Sequence, residues 1–227
     1  MTKLLVQNSK IKKSGNNEIV VYNFGIPALK SKQGLSTCPM ASKCAVGCYA
    51  RSGAYLFSNA ALAYENRLKA ALSPQFSALI QVELNAAKKR AKTKKIYIRI
   101  HDSGDFFSPE YFKKWLVVML NNPEVTFYAY TKMVSFFKGI KLPSNFILIY
   151  SLGGREDNLI DQNTDRHSRV FETIEALTNS GYVNASSDDL QALGDSPLIG
   201  LHFHHAKKWS NTSWGSVETN EDIKQAA

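Results

Sequence analysis

Cys38, Cys44 and Cys48 lie within eleven residues of one another and are the only cysteines in the chain. Thiolates are soft ligands that suit iron–sulfur clusters and zinc. The spacing is C-x5-C-x3-C, in a loop that also holds Pro39 and Gly47; a zinc site usually joins a short C-x2–4-C knuckle to a second ligand pair, and neither a second pair nor an obvious H-x3–5-H follows here. Three thiolates without a fourth suit a [4Fe–4S] cluster whose remaining iron takes a non-cysteine ligand, with zinc as the alternative metal. An odd, clustered set of cysteines in a reducing compartment argues against disulfides. Three inert, buried thiols in one polar loop is the least favoured reading.

Other polar residues fall where strands should end, and there α/β folds gather functional groups. His101 and Asp102 are the candidate catalytic pair, with His101 handling protons; a plain turn, with Ser108 capping the next helix, is the bland reading. Gly104, Asp105, Lys132 and Arg155 are candidates for holding a small molecule. Arg155, in Gly153-Gly154-Arg155-Glu156-Asp157, serves equally well in an exposed turn. His202, His204 and His205 are candidates for the fourth metal ligand, although strand alternation puts His204 and His205 on opposite faces.

The elements that must position these residues alternate between period 2 and period 3.6. An early strand over 18–23 precedes the cysteine loop at 37–50. Two helices follow it. One is capped by Ser58 and carries Ala61, Tyr64, Leu68 and Leu72 on one face; the other, with Pro74 in its first turn, carries Phe76, Leu79, Ile80, Leu84 and Ala87. Then come strand 95–101, helix 109–121, strand 125–130, a short helix over 134–138, strand 146–151, helix 165–178 and strand 198–204. This βα repeat predicts an α/β fold with a largely parallel sheet, as an open or truncated barrel. In strand 95–101, Ile96, Ile98 and Ile100 oppose Tyr97, Arg99 and His101, and in strand 198–204, Ile199, Leu201 and Phe203 oppose His202 and His204. Tyr128 and Tyr130 continue the polar face. Parallel strands are commonly apolar on both faces, so a polar face points to a wet cavity, or else to an exposed edge.

A chain of 227 residues with 44% apolar residues can bury a full core as one domain. That domain is expected over 18–214, with an N-terminal arm at 1–17 and a polar tail at 215–227 as loop or disordered ends. No stretch approaches the ~20 apolar residues of a membrane span and no signal-peptide core is present, so no membrane partner and a cytoplasmic location are expected. The net charge of +9 suggests an anionic partner, and weak, nonspecific nucleic-acid binding follows from it. The densest basic run, Lys88 to Lys95, sits at an expected helix C-terminus, where cations favour the helix dipole without any ligand. Two function classes emerge: a cluster-dependent enzyme or redox protein with a small-molecule substrate or electron donor, and a metal-stabilised nucleic-acid-binding module.

The blocks Cys38-Pro39 through Cys48-Tyr49-Ala50-Arg51-Ser52-Gly53, Arg99-Ile100-His101-Asp102-Ser103-Gly104-Asp105-Phe106 and Phe127-Tyr128-Ala129-Tyr130-Thr131-Lys132 resemble, in that order, the phage gene product 88 family over roughly residues 20–155. The resemblance implies a phage protein of the host cytoplasm. More distantly, the layout is similar to radical S-adenosylmethionine enzymes, in which a three-cysteine loop follows the first barrel strand and a Gly-acid motif ends the second. That likeness implies that Gly104 and Asp105 hold the amino group of the methionine moiety. Two departures argue against this cofactor: those enzymes use C-x3-C-x2-C, and here two helices separate the first two strands. The chain is also short for an eight-stranded barrel of ~250 residues.

Overall fold

A computed structural model describes residues 2–203. His204, His205 and the expected tail at 215–227 lie outside the described residues.

Seven parallel strands form one open sheet, curled as a half-barrel, in the order β1-β2-β3-β4-β5-β7-β6. They are β1 (Ile19–Phe24), β2 (Lys95–Ile100), β3 (Thr126–Thr131), β4 (Phe146–Ser151), β5 (His167–Phe171), β6 (Val183–Asn184) and β7 (Leu198–His202). The helices used below are α1 (Ser9–Lys13), α2 (Lys43–Val46), α3 (Ser58–Leu72), α4 (Phe76–Ala91), α5 (Pro109–Leu120), α6 (Val134–Phe137), α7 (Ile174–Asn179) and α8 (Leu190–Leu193).

Alternation divides the strands between two cores. Tyr22 and Phe24, Ile96, Ile98 and Ile100, and Phe127 and Ala129 pack outward against α4 and α5, around the fully buried Phe76, Ile80, Leu84 and Trp115. Each such large side chain contributes about 1.5–3 kcal/mol on burial. The inner core is smaller: Val21, Tyr128, Ile149 and Ile199 meet Ile11 of α1 and Ala192 of α8. As expected, α5 begins at Pro109, and the Ser108 hydroxyl accepts the Tyr111 N–H.

Several expectations are corrected. Residues 167–171 form a strand, β5, instead of the first half of a helix. The i, i+4, i+7 spacing of Val170, Ile174 and Leu177 reads as helical, but pairing with β4 and β7 overrides it. The N-terminal arm is ordered: Leu4, Leu5 and Ile11 are buried, and Asn8 caps α1 through the Ile11 N–H. The residue at the N-cap of α3 is Phe57, not Ser58, and Leu72 is exposed, with Ala71 taking the buried position. Pro74 precedes α4 instead of joining its first turn. Strand β7 is interior, between β5 and β6, and its Ile199 and Leu201 face the inner core. The apolar side of this strand is therefore the inner one, opposite to that of β2.

Candidate metal centre

The cysteine loop lies across the C-terminal ends of the strands. Its backbone is tied to the loops after β2 and β4. The Asp105 N–H donates to the Thr37 carbonyl at 2.8 Å, the Cys44 N–H to Gly153 O at 3.2 Å and the Arg155 N–H to Met40 O at 2.9 Å, while Ala41 and Gly154 form an antiparallel bridge. Arg155, exposed, adds a bond from Nε to the Ala41 carbonyl. Its first role is thus to hold the cysteine loop. On the other side the Tyr49 hydroxyl donates to the Asp102 carbonyl.

All three thiols are free and half-buried. Burial pushes the Cys38 thiol up to about 12, and the Asp105 carboxylate and the other two cysteines add to the rise; the Leu29 N–H, 3.4 Å from Sγ, opposes it. Leu29 adopts the left-handed region (φ 61°), uncommon for a branched residue and characteristic of sites where the fold imposes strain. Cys48 is likewise raised by burial, against lowering contributions from the Ala50 N–H and from Arg51 and Lys132. A buried thiol of this kind ionises readily only when a cation is supplied, and a bound metal supplies one. The donor set therefore fits a thiolate-held centre. Among the described residues no three His, Cys, Asp or Glu side chains converge on a single ion position.

Asp105 lies beneath this loop and is only 5% exposed. Its carboxylate accepts the Phe106 N–H (2.7 Å), the Thr131 hydroxyl (2.6 Å) and the Lys132 N–H (2.9 Å), so it joins the ends of β2 and β3. Burial raises its pKa, opposed by these bonds. Gly104 (φ +84°) is needed for the approach to Ile26: a Cβ there would lie 2.2 Å from the Ile26 side chain. Lys132 directs Nζ at Ser151 O, Ser151 Oγ and Leu152 O, all within 2.9 Å, fastening β3 to β4.

His101 departs from its expected place. It follows the last residue of β2 with φ +71°, which turns its ring away from Arg99 and into an aromatic cluster with Phe24, Phe106 and Tyr111. Nε2 is 2.8 Å from the Tyr111 hydroxyl. Burial, assisted by Arg99, lowers its pKa to about 3, so it is neutral at physiological pH and poorly suited to handling protons. Asp102, beside it, is 3% exposed; Oδ2 accepts from Asn8 and Tyr64, and burial raises its pKa. His202 lies on β7, which β5 separates from β4.

Residues that sequence reasoning passed over complete the inner face. Asp189, fully buried, accepts from Arg99 Nη1 and the Tyr128 hydroxyl at 2.8 Å each and pairs with Lys10 at 2.9 Å. Nothing in the local sequence around Asp189 marks it. The basic run, by contrast, is at the opposite end of the sheet, where Lys88 pairs with Glu124 and Asn122 and Lys94 donates to the Asn16 carbonyl.

A family model described as Gene product 88 matches residues 2–218. The chain belongs to the gene product 88 family. This family member is 35% identical over 135 residues to the Gene 88 protein of Mycobacterium phage L5, across 54% of this chain and 53% of that protein. It thus spans about half the length of the curated relative it matches. No solved structure matches. Among the described residues no helix is long and apolar enough to cross a membrane.

Proposed function

We propose that this gene product 88 family member is a phage-type iron–sulfur protein in which Cys38, Cys44 and Cys48 hold a [4Fe–4S] cluster serving redox or radical-type chemistry on a small molecule. One observation carries this reading: the only three cysteines sit in one loop pinned across the C-terminal strand ends by backbone bonds to the loops after β2 and β4. Open α/β sheets bind ligands at that edge. When bound, the cluster supplies a one-electron couple and one iron free of cysteine. The chain's own residues then have positioning work. Lys132 and Arg51 offset the negative charge of the centre near Cys48; Asp105 holds the β2 and β3 loops in register; Arg155 and Gly154 fix the far side of the cysteine loop.

The test is anaerobic purification with iron, sulfide and zinc analysis and a visible spectrum. About four irons per chain and a broad absorption shoulder are expected, lost on Cys44→Ala. Colourless protein with stoichiometric zinc overturns the cluster, and unchanged cluster content in Cys44→Ala overturns the ligand assignment. Adding S-adenosylmethionine to the reduced protein and recording its electron paramagnetic resonance tests that cofactor separately; an unchanged spectrum is expected, because the cysteine spacing departs from C-x3-C-x2-C.

A further inference from the structure

Three buried polar atoms near the C-terminal end of the inner face have no hydrogen-bond partner: Asn23 Nδ2, Asp102 Oδ1 and Tyr130 Oη. Asn23 is 0% and Asp102 3% exposed, so bulk water does not satisfy them, and each such group carries a desolvation penalty. They share one neighbourhood. Asn23 lies opposite Arg99 in the β1–β2 register, and the Arg99 guanidinium is 5.0 Å from the Tyr130 ring centroid. Asn8 touches both ends, its N–H reaching Asn23 Oδ1 at 3.4 Å and its Nδ2 reaching Asp102 Oδ2 at 3.1 Å. Asp102 Oδ1 fills the space that a side chain at Gly25, two residues beyond Asn23, would take, 2.0 Å from such a Cβ.

We infer that this cluster is a binding site for a small carboxylate carrying an adjacent amine or hydroxyl. Asn23 Nδ2 and the Tyr130 hydroxyl are donors awaiting an acceptor, and Asp102 Oδ1 is an acceptor awaiting a donor. Arg99 and Lys10 both pair with Asp189, and Arg99 also acts on the Asp102 carboxylate; the Arg99 cation beside the Tyr130 ring, next to the two donors, favours an acid group there. A neighbouring N–H or O–H on the ligand then satisfies Asp102. The Tyr49 hydroxyl, on the Asp102 carbonyl, joins this site to the residue following Cys48. The inference supplies a small-molecule site for the function proposed above but does not require the cluster.

The test is isothermal titration of the full chain, prepared with and without iron, using L-alanine, L-lactate and propionate as probes; preparing both forms keeps failure of the cluster distinguishable from failure of this site. Saturable binding of alanine or lactate is expected, with propionate about tenfold weaker for want of the donor to Asp102. Asn23→Ala and Asp102→Asn should each weaken binding about tenfold. Tyr130→Phe guards against a folding artefact, since it removes only an unpartnered hydroxyl: binding should weaken while the thermal transition of the free protein stays put or rises. No saturable binding of any probe overturns the inference. So does binding that Asn23→Ala and Tyr130→Phe leave unchanged, or a rise in stability in Tyr130→Phe with no change in binding.

Discussion

Replacing Asp189 by Asn removes the one carboxylate that faces both Arg99 and Lys10 on the inner face. Burial alone would raise the pKa of Asp189, but Arg99 and Lys10 outweigh it and bring it from 3.8 down to about 2. A depression of that size corresponds to about 2 kcal/mol between the ionised and protonated native states. The substitution should cost more, about 3 kcal/mol or above, because it leaves two partly or wholly buried cations uncompensated and turns one acceptor into an amide donor facing their N–H groups. The sign follows from the depressed value: the carboxylate's contribution is complete above the unfolded pKa of about 4 and is lost as pH falls through about 2. Urea denaturation of wild type and Asp189→Asn at neutral pH should therefore show a gap of about 3 kcal/mol that narrows as pH approaches about 2. Equal stability at neutral pH, or a gap that does not depend on pH, would refute the reasoning.

Asp105→Asn should leave the Lys132 N–H facing an amide NH2 and lower stability by about 2 kcal/mol, seen as a lower urea midpoint. Gly25→Ala would place a Cβ 2.0 Å from Asp102 Oδ1 and 2.6 Å from the Tyr64 ring; about 1–3 kcal/mol of destabilisation is expected from such overpacking, read by thermal denaturation. DNA binding should be weak and steeply salt-dependent, and neutralising Lys89 and Arg90 should flatten the slope of affinity against salt; tight binding that persists at high salt would favour a nucleic-acid-binding module.

Local pattern was enough for much of the molecule. Period 2 in 95–100 marked a strand and assigned Ile96, Ile98 and Ile100 to one face, because alternation is a property of the extended chain itself. Ser108 and Pro109 announced α5, since a cap acts on N–H groups within the next turn. Cys38, Cys44 and Cys48 marked the candidate centre by residue type alone. Tertiary structure decided the rest. Residues 167–171 are a strand because β4 and β7 offer them hydrogen-bonding edges, a fact absent from their own spacing. Alternation put His101 with Arg99, but the strand ends at Ile100, and a backbone with φ +71° sends the ring into the outer aromatic core. Asp189 carried no mark in its own stretch of sequence, for its partner Arg99 lies ninety positions away. Which buried polar atoms find partners, and which at Asn23, Asp102 and Tyr130 do not, depends on contacts between distant segments; a sequence records donors and acceptors, and only the closed fold determines which of them meet.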